Sequence, residues 1–397
     1  MNRFLLVASL ALIAAVTIGC SDDPNAVGIA LLPSSDRITI DTLTIRSSSS
    51  ATDTARVQGI STNLLLGKYN HLEARTLLEF DGIPTDKPKA TIDTALLTLH
   101  VNYRFMDSSG LIAFDVDTLL RAWSSSTLTW DSLTENSYYL PRPDTTFYSQ
   151  VQAEDSILTV NIRPVVAAWF LAQNSTPPGI ILVPDPLANL KFVLGFSNFV
   201  KNAVDFRPSL KITYHDSTAA DTTTITLAPS QQLFVANSKL PVPKDTMYVQ
   251  AGIAYRGQVW YPDSLFRAGS PLKNASVTKA VMTVYLNAPA SLRNAYTDNV
   301  IEARLALDST SQPKVGSLYT QGTPNQNDST MFTFDARIFI QQWLGGTPNY
   351  GIVLRAGNEY ASFDGFKFYG ARSDSAHRPT LKVTYTKFPH KVRRAAK

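Results

Sequence analysis

The chain has 397 residues, of which 44% are hydrophobic and 17% are charged, so a disordered chain is excluded and there is enough length for two cores. It contains a single cysteine, which excludes a disulfide framework. Of its 36 Lys and Arg, one lies in the first 19 residues and five lie in residues 387–397, which leaves 30 against 32 Asp and Glu. The formal net charge of +4 therefore does not indicate a nucleic-acid-binding surface.

The first 19 residues, MNRFLLVASLALIAAVTIG, contain one arginine, an apolar run and then small residues. This order is typical of a secretory signal peptide, which we predict over residues 1–19. Cys20 follows directly and resembles the acylated cysteine of a bacterial lipobox, which implies lipidation with palmitate-like chains. Such chains hold a protein at a membrane, because each buried CH₂ contributes about 0.8 kcal/mol. The alternative is that Cys20 is an incidental residue of an uncleaved membrane segment.

Residues 20–36 are predicted to be a tether. Ser21, Asp22 and Asp23 resemble the acidic signal that sends some Gram-negative lipoproteins to the outer face of the outer membrane. The resemblance implies an outer-membrane protein exposed at the cell surface, whereas the alternative is an ordinary solvated tether. The segments at 23–33 and 63–69 also resemble those of bacterial surface lipoproteins.

Three segments of the chain recur in the same order. RPSLKITY at 207–214 returns as RPTLKVTY at 378–385, and TIDTALLTLHVN at 91–102 corresponds to SVTKAVMTVYLN at 276–287. Trp169 lies 38 residues before Arg207, and Trp343 lies 35 residues before Arg378. These offsets of 171 to 185 residues indicate two diverged copies of one domain.

The repeated segments alternate apolar and polar residues with a period of two, which predicts strands with one buried face. Many short Thr-rich strands, punctuated by 23 Pro and 19 Gly, favour an all-β fold. We predict two tandem antiparallel β-sandwich domains, jelly-roll-like, at 37–215 and 226–386, each able to fold alone. Residues 216–225 are predicted to be a flexible linker and residues 387–397 a basic tail.

One element in each copy breaks this period. In NIRPVVAAWF the apolar residues recur at helical spacing, which predicts a short amphipathic helix packed by its tryptophan against the strands. These residues are Ile162, Val165, Val166, Trp169 and Phe170. Asn161 and its counterpart Asp335 precede the two helices and are predicted to cap them.

The stretch RAWSSSTLTWDS at 121–132 resembles the W-S-x-S-x-x-T-W signature of DNRLAP-type domains, which are disaggregatase-related and similar to carbohydrate-binding modules. The resemblance continues through both closing segments and covers most of the first copy. It makes Trp123 and Trp130 candidates for a sugar-stacking platform, and the alternative is that they hold the loop in place. The second copy has no counterpart of either tryptophan.

Sequence motifs for catalysis are absent. There is no H-E-x-x-H, C-x-x-C, G-x-S-x-G or phosphate-binding loop, so we expect no enzyme activity, no metal and no cofactor. Carboxylates are plentiful, but no pair stands out as a glycosidase pair. The turns at 107–110 and 308–310 are interpreted either as Ca²⁺ ligands or as Asx turns.

These patterns together predict a non-catalytic, lipid-anchored cell-surface protein that binds or adheres. The family resemblance implies a glycan or extracellular-matrix ligand. The alternative is an accessory or scaffold subunit of an outer-membrane protein assembly. The expected partners are the membrane, through Cys20, and a polysaccharide or a surface protein, with no role for nucleic acid.

Overall fold

The structure is a computed structural model that describes residues 39–47, 49–54, 61–140, 142–171, 177–216, 221–238, 246–294, 300–310 and 313–387. The predicted signal peptide, Cys20 and the tether lie outside these residues. No helix within the described part is long and apolar enough to cross a bilayer. The described chain is mostly antiparallel strand, which confirms the predicted all-β class.

The strands form two groups that share no hydrogen-bonded pair among the described strands. The described part of the chain begins with β1 (Thr39–Arg46) and β2 (Ser49–Thr54). The elements that follow up to residue 238 form unit 1, and they are β3 (Asn63–Tyr69), β4 (Leu72–Phe80), β5 (Thr91–Phe105), β6 (Gly110–Thr118), β7 (Thr145–Val151), β8 (Ile157–Asn161), α1 (Arg163–Leu171), β9 (Ile180–Pro184), β10 (Phe192–Ser197), β11 (Val200–Lys201), β12 (Val204–Asp205), β13 (Ser209–His215), β14 (Thr222–Leu227) and β15 (Pro229–Ser238).

The later elements, together with β1 and β2, form unit 2. They are β16 (Thr246–Gln250), β17 (Tyr255–Trp260), a 3₁₀ turn (Asp263–Leu265), β18 (Ala275–Tyr285), a second 3₁₀ turn (Ala288–Ala290), β19 (Ile301–Ala306), β20 (Val315–Gly322), β21 (Met331–Asp335), α2 (Arg337–Leu344), β22 (Ile352–Ala356), β23 (Gly365–Tyr369) and β24 (Thr380–Lys387).

The two units have the same strand order. In unit 1 the order β14-β13-β5 continues through β10-β3-β4-β9-β6-β7 as one curled 11-stranded sheet, with β8 beside β5 and β15 beside β4. Unit 2 repeats this as a four-stranded sheet, β1-β24-β18-β21, and a seven-stranded sheet, β20-β19-β22-β17-β16-β23 with β2 beside β17. Each unit has its own apolar core, built from the inward-facing side chains of these strands.

The helices lie where the sequence predicts them. The side chains of Val165, Val166, Trp169 and Phe170 are buried on one face of α1. The first helical N–H is bonded in both cases, since Asn161 Oδ1 accepts from Arg163 N at 3.0 Å and Asp335 Oδ1 accepts from Arg337 N at 3.0 Å. The predicted helices are therefore confirmed, and both predicted side chains bond the first helical N–H, although the N-cap residue of α2 is Ala336 and Asp335 lies one residue before it.

A glycine before β9 and one before β22 mark the same backbone approach in both units. Gly179 has φ +98° and an added Cβ would lie 2.2 Å from the carbonyl oxygen of Leu78. Gly351 has φ +93° and its Cβ would lie 2.6 Å from the carbonyl oxygen of Val259. Only glycine tolerates this conformation at such close range, so the equivalence of the two units extends to the backbone.

The first two strands of each sequence copy, β1–β2 and β14–β15, pair with strands of the other copy and not with each other. β14 pairs with β13 and β15 pairs with β4, although both begin the second copy in sequence. β1 pairs with β24 along eight residues, and β2 pairs with β17 along six. The two segments occupy equivalent places, so the chain exchanges them between its units.

The sequence explains which segment belongs to which unit. Asp41 lies opposite Tyr385 and Thr223 lies opposite Tyr214, so equivalent residues of the two segments are 182 positions apart. The same offset places Ala51, Thr52 and Asp53 of β2 where β15 has the large apolar residues Leu233, Phe234 and Val235. Unit 1 buries those three side chains of β15. The small and polar residues of β2 could not replace that apolar surface.

This pairing corrects the predicted boundaries. Segments 37–215 and 226–386 follow the sequence repeat, but hydrogen bonding crosses them at both of their starts. The predicted linker 216–225 is wrong for residues 222–225, which belong to β14. The predicted basic tail begins too early, because Lys387 ends β24 and its Nζ lies 3.0 Å from Asp41 Oδ2. The remainder of the tail lies outside the described residues.

The two units contact each other through a mixed apolar and polar surface. Phe363 of unit 2 is fully buried against Phe105 of unit 1, with ring centroids 5.9 Å apart. The Phe363 N–H donates to the Tyr103 hydroxyl at 3.0 Å, and Asn294 Nδ2 donates to the Arg104 carbonyl at 2.5 Å. This surface joins the two units in addition to the exchanged strand segments.

Candidate binding surface on unit 1

A long loop covers the outer face of unit 1. β6 ends at Thr118 and β7 begins at Thr145, so 26 residues, 119–144, connect two neighbouring strands. We call this segment the Trp loop, since it carries Trp123 and Trp130. Its apolar side chains pack on outward-facing residues of β4, β9 and β15, and the two sets are Leu119, Trp123, Leu128, Leu133 and Tyr139 from the loop and Leu77, Ile181, Val183, Leu233 and Val235 from the strands.

Trp123 is buried under the loop. Its side chain is 8% exposed, and the indole N–H donates to the Pro178 carbonyl at 3.0 Å. A tryptophan with its ring packed and its N–H bonded offers little face to a ligand. The structure therefore places Trp123 as a residue that holds the loop on the sheet.

Trp130 is half-buried and faces a cation. The guanidinium carbon of Arg75 lies 4.4 Å from its ring centroid, a cation–π geometry. Arg75 also pairs with Glu73 at 2.8 Å and donates to the Tyr139 hydroxyl at 2.6 Å. Arg75 thus joins β4 to two loop residues, and one face of Trp130 is occupied within the molecule.

A side chain of the exchanged segment β14–β15 also holds the loop. Gln231 of β15 accepts a hydrogen bond from Ser125 N at 2.8 Å through its Oε1. Its Nε2 donates to Glu79 at 2.9 Å and to the Trp123 carbonyl at 3.3 Å. Burial raises the pKa of Glu79 above its ordinary value. The position of the loop therefore depends on β15.

The outer surface of the loop presents both apolar and charged groups. Leu120 and Leu140 are exposed, one near each end of the loop. Between them the Arg121 guanidinium carbon lies 3.8 Å from the ring centroid of Tyr138. Because these groups belong to a packed loop, their positions on the outer face are fixed before any ligand binds.

A buried carboxylate lies on the same side of the sheet. Asp117 of β6 is 5% exposed, and its Oδ1 has no hydrogen-bond partner within the part of the chain that the structure describes. Burial foremost, and then the neighbouring charges of Asp115 and Asp144, raise the pKa of Asp117 to about 7. Asp117 therefore changes its ionisation near neutral pH.

The neighbours of Asp117 are already bonded to each other. Thr146 donates to Asp115 at 2.7 Å, and Thr118 donates to Asp144 through both its N–H and its hydroxyl. Burial raises the pKa of Asp115 as well. Among the described residues no group of three or more His, Cys, Asp or Glu side chains could hold a metal ion.

The same outer face of unit 2 carries ion pairs in place of a loop. Glu359 is 1% exposed and accepts two bonds from Arg256, each at 2.7 Å. Arg355 pairs with Glu302 at 2.8 Å and reaches Glu359 at 3.4 Å, and Arg304 pairs with Glu302 at 2.9 Å. Although burial alone would lower the pKa of Arg256, the bonds and charge of Glu359 raise it overall.

Sequence reasoning identified some of these residues and missed others. The tryptophan signature lies in the Trp loop, and Asp308 forms the Asx turn considered for 308–310, since its carboxylate accepts from Thr310 N and Oγ1. Asp117, Arg75 and the Glu359 network carried no motif. A polar residue at an outward position of a strand is ordinary in sequence, and only the packing of distant segments reveals its burial.

Comparison with known proteins adds no relative. No protein-family model matches the chain, and no curated protein matches it. The DNRLAP-type resemblance therefore remains a prediction from motifs.

Proposed function

We propose that this protein is a non-catalytic, lipid-anchored binding or adhesion protein at the cell surface, with the Trp loop of unit 1 as its recognition surface. The proposed ligand is a glycan or an extracellular-matrix component, as the family resemblance implies. The proposal includes acylation at Cys20, attachment to the outer membrane, and two jelly-roll-like sandwich domains for the two units.

The length and order of the Trp loop carry this proposal. Unit 2 connects the equivalent strands β19 and β20 with the eight residues 307–314, whereas unit 1 uses 26. Long connections without regular structure are uncommon in compact domains, and ordered ones usually serve binding. The loop is ordered at a conformational cost that its packing on β4, β9 and β15 offsets.

A second candidate function is an accessory or scaffold subunit of an outer-membrane protein assembly. It is favoured because both tryptophans already have partners within the molecule. The Trp123 indole N–H donates to the Pro178 carbonyl, and the Arg75 guanidinium stacks on the Trp130 ring. The exposed groups that remain, Leu120 and Leu140, are suited to contact with a protein.

The binding proposal is tested on variants that leave the loop packing intact. Arg121→Ala with Leu140→Ser changes only exposed side chains. We expect this variant to stay folded, with a loss of no more than about 1 kcal/mol in unfolding free energy, and to lose retention on polysaccharide affinity gels. Unchanged retention would reject the Trp loop as the glycan surface. Lost crosslinking to a membrane protein, with no gel retention in either protein, would instead support the scaffold function.

The attachment proposal is tested separately. Cys20→Ser removes the acylation site and should release the protein from membrane fractions, because acyl chains are then the only expected membrane-inserting groups. A variant that still pellets and resists carbonate washing would reject lipidation.

The proposal of a non-catalytic protein is tested by a screen of the purified chain against polysaccharides. We expect no turnover. Turnover that is abolished by one Asp or Glu substitution, with Asp117→Asn examined first, would reject the proposal in favour of a hydrolase.

A further inference from the structure

The two exchanged segments, β14–β15 and β1–β2, are held very differently. β14 follows β13 after residues 216–221, and β15 lies along nearly the whole of β4. Leu233, Phe234 and Val235 of β15 are all buried, and Gln231 is bonded to the Trp loop. Removing this segment would expose two apolar clusters to water, one of which also contains Ile253 and Phe363 of unit 2.

The segment β1–β2 offers few large apolar side chains, and β2, with the sequence SSATDT, has none. β1 is an edge strand that pairs with β24, about 340 residues away in sequence, as the separation of 342 between Thr42 and Thr384 shows. Among its described side chains, Leu43 packs against the core of unit 2. The side chains of Ile40, Asp41, Thr42, Thr44 and Arg46 are exposed.

The polar contacts of β1 are few and lie at the surface. Asp41 accepts from the Tyr385 hydroxyl at 3.1 Å and from Lys387 Nζ at 3.0 Å. Exposed pairs of this kind contribute little, because solvent screens them. Elements with few buried apolar contacts open locally at a lower free energy than the whole fold.

We propose that the segment β1–β2 is exchangeable between two copies of this chain, so that β1 of one copy pairs with β24 of another and β2 pairs with β17. The places that this segment occupies in unit 2 are then a docking surface for a second copy. Its departure breaks no other strand pair of unit 2 among the described strands, since β1 pairs only with β24, at the edge of its sheet, and β2 pairs only with β17.

A second copy fits this surface because it offers the identical segment. The pairing is antiparallel and runs through main-chain groups, so the same segment of another chain makes the same bonds. Only effective concentration favours the segment of the same chain. The exchange of segments between the two units of one chain is the geometry that domain swapping repeats between chains.

Two cysteine pairs at equivalent positions test the proposal. Thr42 and Thr384 face each other across β1 and β24, with hydroxyl oxygens 3.4 Å apart. Thr224 and Thr213 occupy the matching places across β14 and β13, with hydroxyl oxygens 3.1 Å apart. Full-length chains carrying Cys20→Ser and one further change are mixed at high concentration, incubated below the melting temperature and oxidised.

We expect the T42C chain to form a covalent heterodimer with the T384C chain. The control mixture of T224C and T213C chains should yield about tenfold less, because β14 stays in place. One chain carrying both T42C and T384C should link within a monomer at low concentration, which verifies the strand pair itself. If the T42C and T384C chains give no more heterodimer than the control mixture while that monomer links, the proposal is overturned.

Discussion

The outer faces of the two units differ at positions that the strand registers make equivalent. Asp115 lies opposite Val183 in unit 1, and its counterpart Glu302 lies opposite Arg355 in unit 2. Two residues further along, Asp117 corresponds to Arg304. Unit 1 covers this face with an apolar loop and leaves one oxygen of the buried Asp117 without a hydrogen-bond partner among the described residues, whereas unit 2 covers it with paired charges.

The inner faces do not differ in this way. Leu97 and Met282 hold equivalent core positions, as do Leu182 and Leu354, and all four are fully buried. One strand framework therefore supports two chemically different outer faces, because the core depends on the inward residues of each strand alone. The difference locates the candidate recognition surface on unit 1 and a structural charge network on unit 2.

The largest expected effect concerns what the two units share. Trp169 and Trp343 are each 3% exposed and pack their helices on the strands. Changing either to Ala should lower the free energy of unfolding by about 3 to 5 kcal/mol, through lost burial and a cavity. Denaturant unfolding measures the loss, and hydrogen exchange shows which unit is affected. Near-native stability with lost ligand binding would contradict a structural role.

The charge network of unit 2 should be nearly as sensitive. Glu359→Gln removes the negative charge and one of the two oxygen acceptors that face Arg256, and leaves that mostly buried guanidinium without this counter-ion. The expected loss of unfolding free energy is about 3 kcal/mol, measured by denaturant unfolding. The control is Asp263→Asn, which breaks an exposed pair with Arg267 and should cost about 0.5 kcal/mol or less. Equal effects of the two substitutions would contradict the distinction.

The pH dependence of unit 1 should report Asp117. The pKa of Asp117 is raised from 3.8 to about 7, so the folded state keeps a proton that the unfolded state has lost between these values. The stability that this proton contributes is complete below pH 3.8 and is lost as the pH rises through about 7. Between pH 5 and pH 8 we expect a fall of about 2 to 3 kcal/mol in the free energy of unfolding.

The control for this dependence is Asp117→Asn, which cannot ionise. Melting curves of both proteins at pH 5 and pH 8 give the difference that belongs to this carboxyl group. The substituted protein should lose most of the fall while Glu79 and Asp115 still titrate. An unchanged pH dependence would show that Asp117 is ionised or hydrated in the fold.

The smallest expected effect concerns the exposed surface of the Trp loop. Arg121→Ala removes a cation–π contact with Tyr138 and should lower the unfolding free energy by about 0.5 to 1 kcal/mol. Thermal melting measures this change. A loss several times larger would mean that the contact holds the loop and does not form part of a free surface.

Local patterns in the sequence predicted the elements of this fold. The alternation in 91–102 and the helical spacing around Trp169 each depend on neighbours in the chain, and both elements form as predicted. The bonds from Asn161 and Asp335 to the starts of the helices were predictable for the same reason, because each joins a side chain to a backbone N–H two residues away.

The exchange of the two segments could not be predicted in this way. The apolar pattern of β14 resembles that of β1, so on periodicity alone either segment could pair with the closing strand of either unit. What decides is the surface that Leu233, Phe234 and Val235 must cover, and that surface is assembled from β4, β9 and the Trp loop. The Glu359 network also joins distant segments and therefore gave no signal along the chain.

The exchange is tested most directly by comparing two fragments of the chain. Fragment 61–238 contains all strands of unit 1 as they pair, and fragment 37–215 contains the first copy as the sequence repeats. Fragment 61–238 should unfold cooperatively in denaturant. Fragment 37–215 should be unfolded or several kcal/mol less stable, because β2 lacks the apolar residues of β15. A fragment 37–215 that is as stable as fragment 61–238 would contradict the exchange of the two segments.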